Sequence, residues 1–268
     1  MRASELIQAG IVSFLAIACW FAPISRRRRV NVTLLALGAL IGVAASCASQ
    51  YFMAPDASAI FRDWFPVVIT LVPYWQTGQF FVRPNEKIQD WLGEIDRRFF
   101  LIFSRMGWKL GRGVRLTMEW AYSFCYPIVP LGLAALYVAG LQRKADTYWV
   151  LVLVPTYICY AVTPLFPALP PRSLTKDCMR QSATKSRAFN LWILKHGSIQ
   201  AISFPSAHVA AALGAALVLL QYVPVAGALF LVISFWIALA AVVEGYHYTL
   251  DVILGAAVSL AVYLAWRL

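Results

Sequence analysis

Long apolar runs dominate this sequence and limit what the chain can fold into. A helix needs about 20 mainly apolar residues to cross the hydrocarbon core of a bilayer. Eight segments approach that length, at roughly 4–23, 31–52, 62–82, 117–140, 147–166, 205–222, 224–243 and 248–267. Arg62, Asp63 and Pro66 crowd the start of the third, so seven spans is the alternative count. The composition agrees: 61% of the 268 residues are hydrophobic and 13% charged, against about 25% charged in a soluble domain. The expected fold is all-α, a polytopic transmembrane helix bundle of seven or eight spans. The first segment is long, with no small-residue cleavage site before Arg26–Arg29. It is expected to be a retained helix, not a signal peptide.

The polar stretches 83–116 and 167–203 are each too short for a substantial core of their own. The net charge of +11 therefore speaks to topology and anionic headgroups. No nucleic-acid module is visible. With eight spans, 18 of the 23 Lys and Arg residues fall on one face, including Arg26–Arg29 and both polar stretches. With seven, the split is 16 to 7. Cytoplasmic loops carry the excess of Lys and Arg, so the charge leans the crowded face towards the cytoplasm. Within 86–106, Ile88, Trp91, Leu92, Ile95 and Phe99 recur at helical spacing with charges opposite. That pattern suits an amphipathic helix lying in the membrane interface, or equally a loop helix packed on the protein. The five cysteines, Cys19, Cys47, Cys125, Cys159 and Cys178, show no CxxC spacing and read as small buried hydrophobes.

Polar groups inside such a chain are costly and ask for a reason. Three stretches stand out, and all reach the crowded face. Thr163 to Arg172 contains Pro164, Pro167, Pro170 and Pro171. Prolines cannot continue a helix, so the chain should leave the bilayer extended and hold Arg172 on a stiff support. A guanidinium there can grip a phosphate; an ordinary interfacial arginine would look the same. In Ser203 to Ala212, Pro205 and Ser206 suit a helix start. First-turn amides lack internal partners and can bind an anion, and His208 would sit at the boundary, ready to donate a proton. A capped helix with an interfacial histidine is the plainer alternative. In Glu244 to Gly255, His247 and Asp251 lie four apart and share one helical face. A carboxylate there orients the imidazole and stabilises positive charge on it, whether the pair is catalytic or structural. Taken together, the stretches suit attack on phosphorus: His247 attacks, Arg172 and the amides at 206–208 neutralise phosphate, and His208 protonates the departing oxygen.

Pro170-Pro171-Arg172, Pro205-Ser206-Ala207-His208 and His247-x-x-x-Asp251, in that order, resemble the motifs of the type 2 phosphatidic acid phosphatase superfamily over roughly 117–267. Phe204-Pro205-Ser206-x-His208 and His247-Tyr248-x-x-Asp251-x-x-x-Gly255 look closest to its inositol-phosphorylceramide-synthase-like branch. The resemblance implies a six-helix phosphatase-type core in a catalytic membrane domain at 62–268, preceded by transmembrane helices at 1–61. It implies His247 as a nucleophile that forms a phosphohistidine, Asp251 as its partner and His208 as general acid. Arg172, Ser206 and the Ala207 amide would contact phosphate, with no metal and no cofactor.

The chain also departs from the family pattern. Leu165 and Ala241 stand where two family cations are expected, Ala207 replaces a glycine, and Ser173 follows Arg172 in place of proline. Lys176, Arg180, Lys185 and Arg187 are candidates for the missing charge. The expected activity is a lipid-phosphate phosphatase, or a lipid phosphotransferase as the alternative. The expected partners are a phosphorylated lipid and a bilayer with anionic headgroups, in a bacterial-type cell membrane. Two other readings remain. A metal-dependent hydrolase would use His208, His247, Asp251 and Glu244, although no His-Glu-x-x-His motif occurs. A non-enzymatic lipid-binding or transport protein would leave the clustered polar residues unexplained.

Overall fold

The computed structural model describes residues 1–105, 111–174 and 184–268. Among them the regular structure is helical, with no strand. Helix α1 (Ala3–Phe21) and α2 (Arg26–Ala48) form an antiparallel pair. Three short helices follow, α3 (Pro55–Trp64), α4 (Pro66–Ile69) and α5 (Leu71–Phe80). Then come α6 (Glu86–Arg105), α7 (Arg112–Ser123), α8 (Ile128–Val138) and α9 (Ala145–Val162). The chain closes with α10 (Lys185–Gly197), α11 (Ala207–Tyr222), α12 (Pro224–Val243) and α13 (Thr249–Arg267).

Among the described residues, five helical segments are long and apolar enough to cross a membrane, or six if the bent pair α7–α8 counts as one span. Two of the eight expected spans fall outside that length-based count. Segment 62–82 is broken because Pro66 and Pro73 cannot donate to the helical ladder. The second is α11, which is apolar but only 16 residues long. The pair α7–α8 turns by 69° next to Pro127, whose ring and missing N–H account for the bend.

The pieces of 62–82 nonetheless run from one end of α1 to the other. Asp63 pairs with Arg2 and accepts from the Tyr137 hydroxyl at 2.7 Å. At that same end, Glu5 binds Arg62 at 2.8 Å, and the Asp146 carboxylate caps the amides of Ala3 and Ser4 at 3.0 Å. At the far end, the Arg28 guanidinium donates to the carbonyls of Gln79 and Phe81. Midway, buried Gln76 donates to the carbonyls of Val12 and Val32 at 3.2 and 3.1 Å, tying α5 to α1 and α2. A polar side chain at that depth is tolerated because it is hydrogen-bonded.

Helix α11 is the hub, packed against α9, α12 and α13. Ala210, Ala212, Ala215 and Ala216 are fully buried. A Cβ on Gly214 would lie 2.7 Å from the Leu151 carbonyl oxygen. Small residues let helix backbones approach where lipid supplies no hydrophobic drive.

Helix α6 packs on the protein through Leu92, which clusters with Ala168, Ile202, Phe204 and Tyr248, while Trp91, Phe100 and Leu101 face outward. Of its two expected environments, the inner face is therefore taken by protein. Cys19, Cys125 and Cys159 are buried and Cys47 half-buried, all unpaired; Cys178 lies outside the described residues.

Candidate active site

The third stretch turns sharply after α12. Gly245 has φ +72°, a conformation that glycine adopts at no steric cost. The turn carries the His247 amide back onto the Ala241 carbonyl at 2.9 Å. Helix α13 then starts at Thr249, whose amide is capped at 2.8 Å by Asp96 of α6. One turn apart, His247 Nδ1 lies 2.9 Å from Asp251 Oδ2, and both residues are buried. With Nδ1–H donated to the carboxylate, Nε2 keeps its lone pair. Burial, and after it Arg172, hold the His247 imidazole down at about 3, so the ring is neutral at physiological pH.

The second stretch meets the third through the main chain. The Ser206 amide donates to the Asp251 carbonyl at 2.9 Å. A Cβ on Gly255, one turn beyond Asp251, would collide with the Ser206 carbonyl oxygen. That contact sets His208 beside His247, with ring centroids 5.7 Å apart. The His208 ring also faces Tyr126 edge-on at 6.2 Å, and its buried Nδ1 makes no hydrogen bond among the described residues. Gly255→Ala is expected to destabilise the protein by about 1–3 kcal/mol, the usual cost of overpacking. It should also depress turnover by moving His208 away from His247. Thermal unfolding in detergent, together with kcat, checks both effects.

The first stretch, expected to be extended, has single turns at Thr163–Leu165 and Pro171–Ser173 flanking an irregular Phe166–Pro170. Gln89 of α6 clasps it, accepting from the Leu169 amide at 2.8 Å and donating to the Leu169 carbonyl at 3.3 Å. The Arg172 amide donates to the Gly245 carbonyl at 2.9 Å, and its Nη1 to the Tyr246 carbonyl at 3.3 Å. Its guanidinium stands 5.5 Å from the Tyr246 ring centroid. Arg172, His208 and His247 thus line one pocket with Tyr74, Tyr122 and Ser203. At about 20 Å³ it has room for roughly one water, so a phosphoryl group enters only if lining side chains give way.

Ser206 and Ala207 occupy a different place from the one their motif suggests. Neither lines this pocket. The Ser206 hydroxyl accepts from the Val209 amide at 3.5 Å, and the Ala207 amide donates to Ser203 Oγ at 3.3 Å. Both are engaged in holding the helix start, and Ser203 faces the pocket instead. Leu165 is 70% exposed and Ala241 1%; neither reaches the pocket. Of the candidate replacement cations, Lys176 and Arg180 lie outside the described residues, and Lys185 is exposed.

Arg187 is 2% exposed and lies between two carboxylates, 2.6 Å from Glu119 Oε1 and 3.0 Å from Glu244 Oε2. Sequence reasoning missed Glu119. It accepts from Asn190 Nδ2 at 2.9 Å and from the Tyr246 hydroxyl at 2.7 Å. The Tyr246 ring stacks on Tyr122, with centroids 3.7 Å apart and planes 7° apart. This network supports the residue next to His247 from behind. A lone carboxylate in the apolar segment 117–140 was the available signal. His247 and Asp251 pair with each other while Glu244 faces Arg187, and no metal-binding group of three such residues converges among the described residues.

A family model described as the PAP2 superfamily matches residues 91–265. The chain belongs to the PAP2 superfamily. The match begins within α6 and runs into α13, taking in all three motif stretches and leaving α1–α5 outside it. Membership supports a lipid-phosphatase type of enzyme in broad terms. No curated protein and no solved structure matches this PAP2 member.

Proposed function

We propose that this PAP2 member is a lipid-phosphate phosphatase working through a phosphohistidine on His247, without a metal. The observation that carries the proposal is the buried His247–Asp251 bond of 2.9 Å with the His208 ring 5.7 Å away. Nε2 of His247 attacks phosphorus, and a P–N bond forms as the P–O bond to the lipid breaks. The departing oxygen takes its proton from His208, whose imidazole burial and then His247 hold down at about 3, so it acts as an acid once the entering phosphate has protonated it. Water then attacks the phosphohistidine and gives a proton back to His208. The P–N bond breaks, releasing inorganic phosphate and restoring His247. Asp251 stabilises the positive ring that forms in the first step. Arg172 takes up phosphate charge by paired hydrogen bonds.

A lipid hydroxyl in place of water turns the same cycle into headgroup transfer, the reading favoured by the likeness of His247-Tyr248-x-x-Asp251-x-x-x-Gly255 to the synthase-like branch. In both, residues 62–268 are the catalytic membrane domain. The count of Lys and Arg leans the pocket's face towards the cytoplasm.

The test is to give purified protein phosphatidic acid labelled in its phosphate, with and without an acceptor alcohol, under chelation. Hydrolysis releases labelled phosphate in both, and transfer requires the acceptor. A quenched reaction should hold label on the protein that is lost in acid and survives alkali. Absence of all three products would overturn the proposal.

A further inference from the structure

A large cavity among the described residues lies apart from the pocket of His208 and His247. It is a groove of about 1040 Å³ between the C-terminal half of α1, the end of α5 and the proline run, walled by Phe14, Phe21, Phe80 and Leu165. Its lining is almost wholly apolar, with Arg83 at the rim. Arg83 also lines a polar cleft with Asn85, Glu86 and Lys87, so the groove ends where cationic side chains begin.

A small cavity of Thr77, Phe80, Phe166, Ala201 and Ile202 lies beside it. This throat shares Phe80, Pro164 and Pro167 with the groove. It shares Ala201 and Ile202 with the pocket of His208 and His247. Groove, throat and pocket are therefore neighbours divided by single side chains, Phe80, Pro164 and Pro167 and then Ala201 and Ile202, and the throat of about 10 Å³ must widen to let a phosphate pass. The other large apolar groove, about 450 Å³ between α8 and α12, shares no lining residue with the pocket.

We propose that the α1–α5 groove seats an acyl chain of the lipid phosphate, whose phosphate end reaches His247 past Ala201 and Ile202. This rests on the phosphatase proposal for the pocket itself. The occupant is an acyl chain because the walls are aromatic and aliphatic, and because the groove lies one small cavity away from the pocket proposed to take the phosphate. Its volume is at the upper end of small-molecule sites, about 300–1,000 Å³. Arg83, which lines both the groove and the adjoining cleft of Glu86 and Lys87, meets the anionic end of a lipid still outside the pocket. Helices α1 and α5 lie outside the family match, so this part of the site belongs to the chain's N-terminal helices.

The experiment uses the full chain in phosphatidylcholine nanodiscs with phosphatidic acid carrying a photoreactive diazirine on one acyl chain. Cross-links are expected on Phe14, Phe80 or Leu165. Excess unlabelled phosphatidic acid should remove them, and excess phosphatidylcholine should not. Ala18→Trp, which fills the groove without touching the pocket, should cut this labelling at least fivefold. It should lower kcat/KM for a long-chain substrate about tenfold and leave turnover of a soluble aryl phosphate unchanged. Competable labelling confined to the α8–α12 groove, or no competable labelling, overturns the proposal. Should Ala18→Trp fail to fold, wild-type labelling alone decides. Competable groove labelling in a protein that releases no phosphate from either substrate would uphold the lipid site and reject the phosphatase.

Discussion

Replacing His247 with alanine is expected to lower kcat by a factor on the order of 10⁴ or more, with KM for the lipid much less affected. Losses of that size follow when a nucleophile is removed from a covalent mechanism. His247 is buried and its Nδ1 is committed to Asp251, so its free Nε2 is the nitrogen held ready for attack, and alanine removes it. Asp251→Asn should be milder but still severe, about 10²–10⁴, because an amide can hold the ring in the wrong tautomer and leave its positive form unsupported. The phosphoenzyme separates the two roles. It should be absent in His247→Ala and accumulate slowly in Asp251→Asn. A His247→Ala protein that folds and turns over normally would remove the mechanism.

The second large effect is on stability. Arg187→Met leaves Glu119 and Glu244 buried without the guanidinium between them, and breaking such a pair costs about 3–5 kcal/mol. Thermal unfolding in detergent measures it. Adding Glu119→Gln should recover part of the loss, since the two changes share a network and are not additive. The same cluster gives a pH signature. Burial, then the neighbouring Glu119, raises the Glu244 carboxyl from 4.5 to about 7. A carboxyl raised on folding binds its proton better in the native state than in the unfolded one. Its contribution to stability is therefore complete below about 4.5 and is lost as pH rises through about 7. Glu244→Gln should flatten that part of the stability profile.

The three motif stretches were legible in the sequence because each departs from its surroundings: four prolines, a helix start, and a carboxylate one turn from a histidine. Asp251 pointed to His247 because their partnership is local. Glu119 carried the same signal, a carboxylate in an apolar run, yet its partners Arg187, Asn190 and Tyr246 come from distant positions. Spacing alone does not reveal such partners. Ser206 and Ala207 mark a real helix start. Their amides, however, are used by Asp251 and Ser203, and the first of these contacts depends on how α11 meets α13. Arg62, Asp63 and Pro66 marked 62–82 as the weakest span, without showing that it breaks between α4 and α5. That its pieces still extend along α1 depends on Gln76, Asp63 and Arg28 finding acceptors or donors on other helices.

The bond from the Ser206 amide to the Asp251 carbonyl, with Gly255 beneath it, separates chemistry from selectivity. The spacing of proton donor and nucleophile is fixed in the backbone, where side-chain replacements elsewhere do not reach it. Pocket walls such as Leu194 and Ile202 are free of that frame and can be exchanged one at a time. Substrate range in such a scaffold can drift while the reaction coordinate stays where it is.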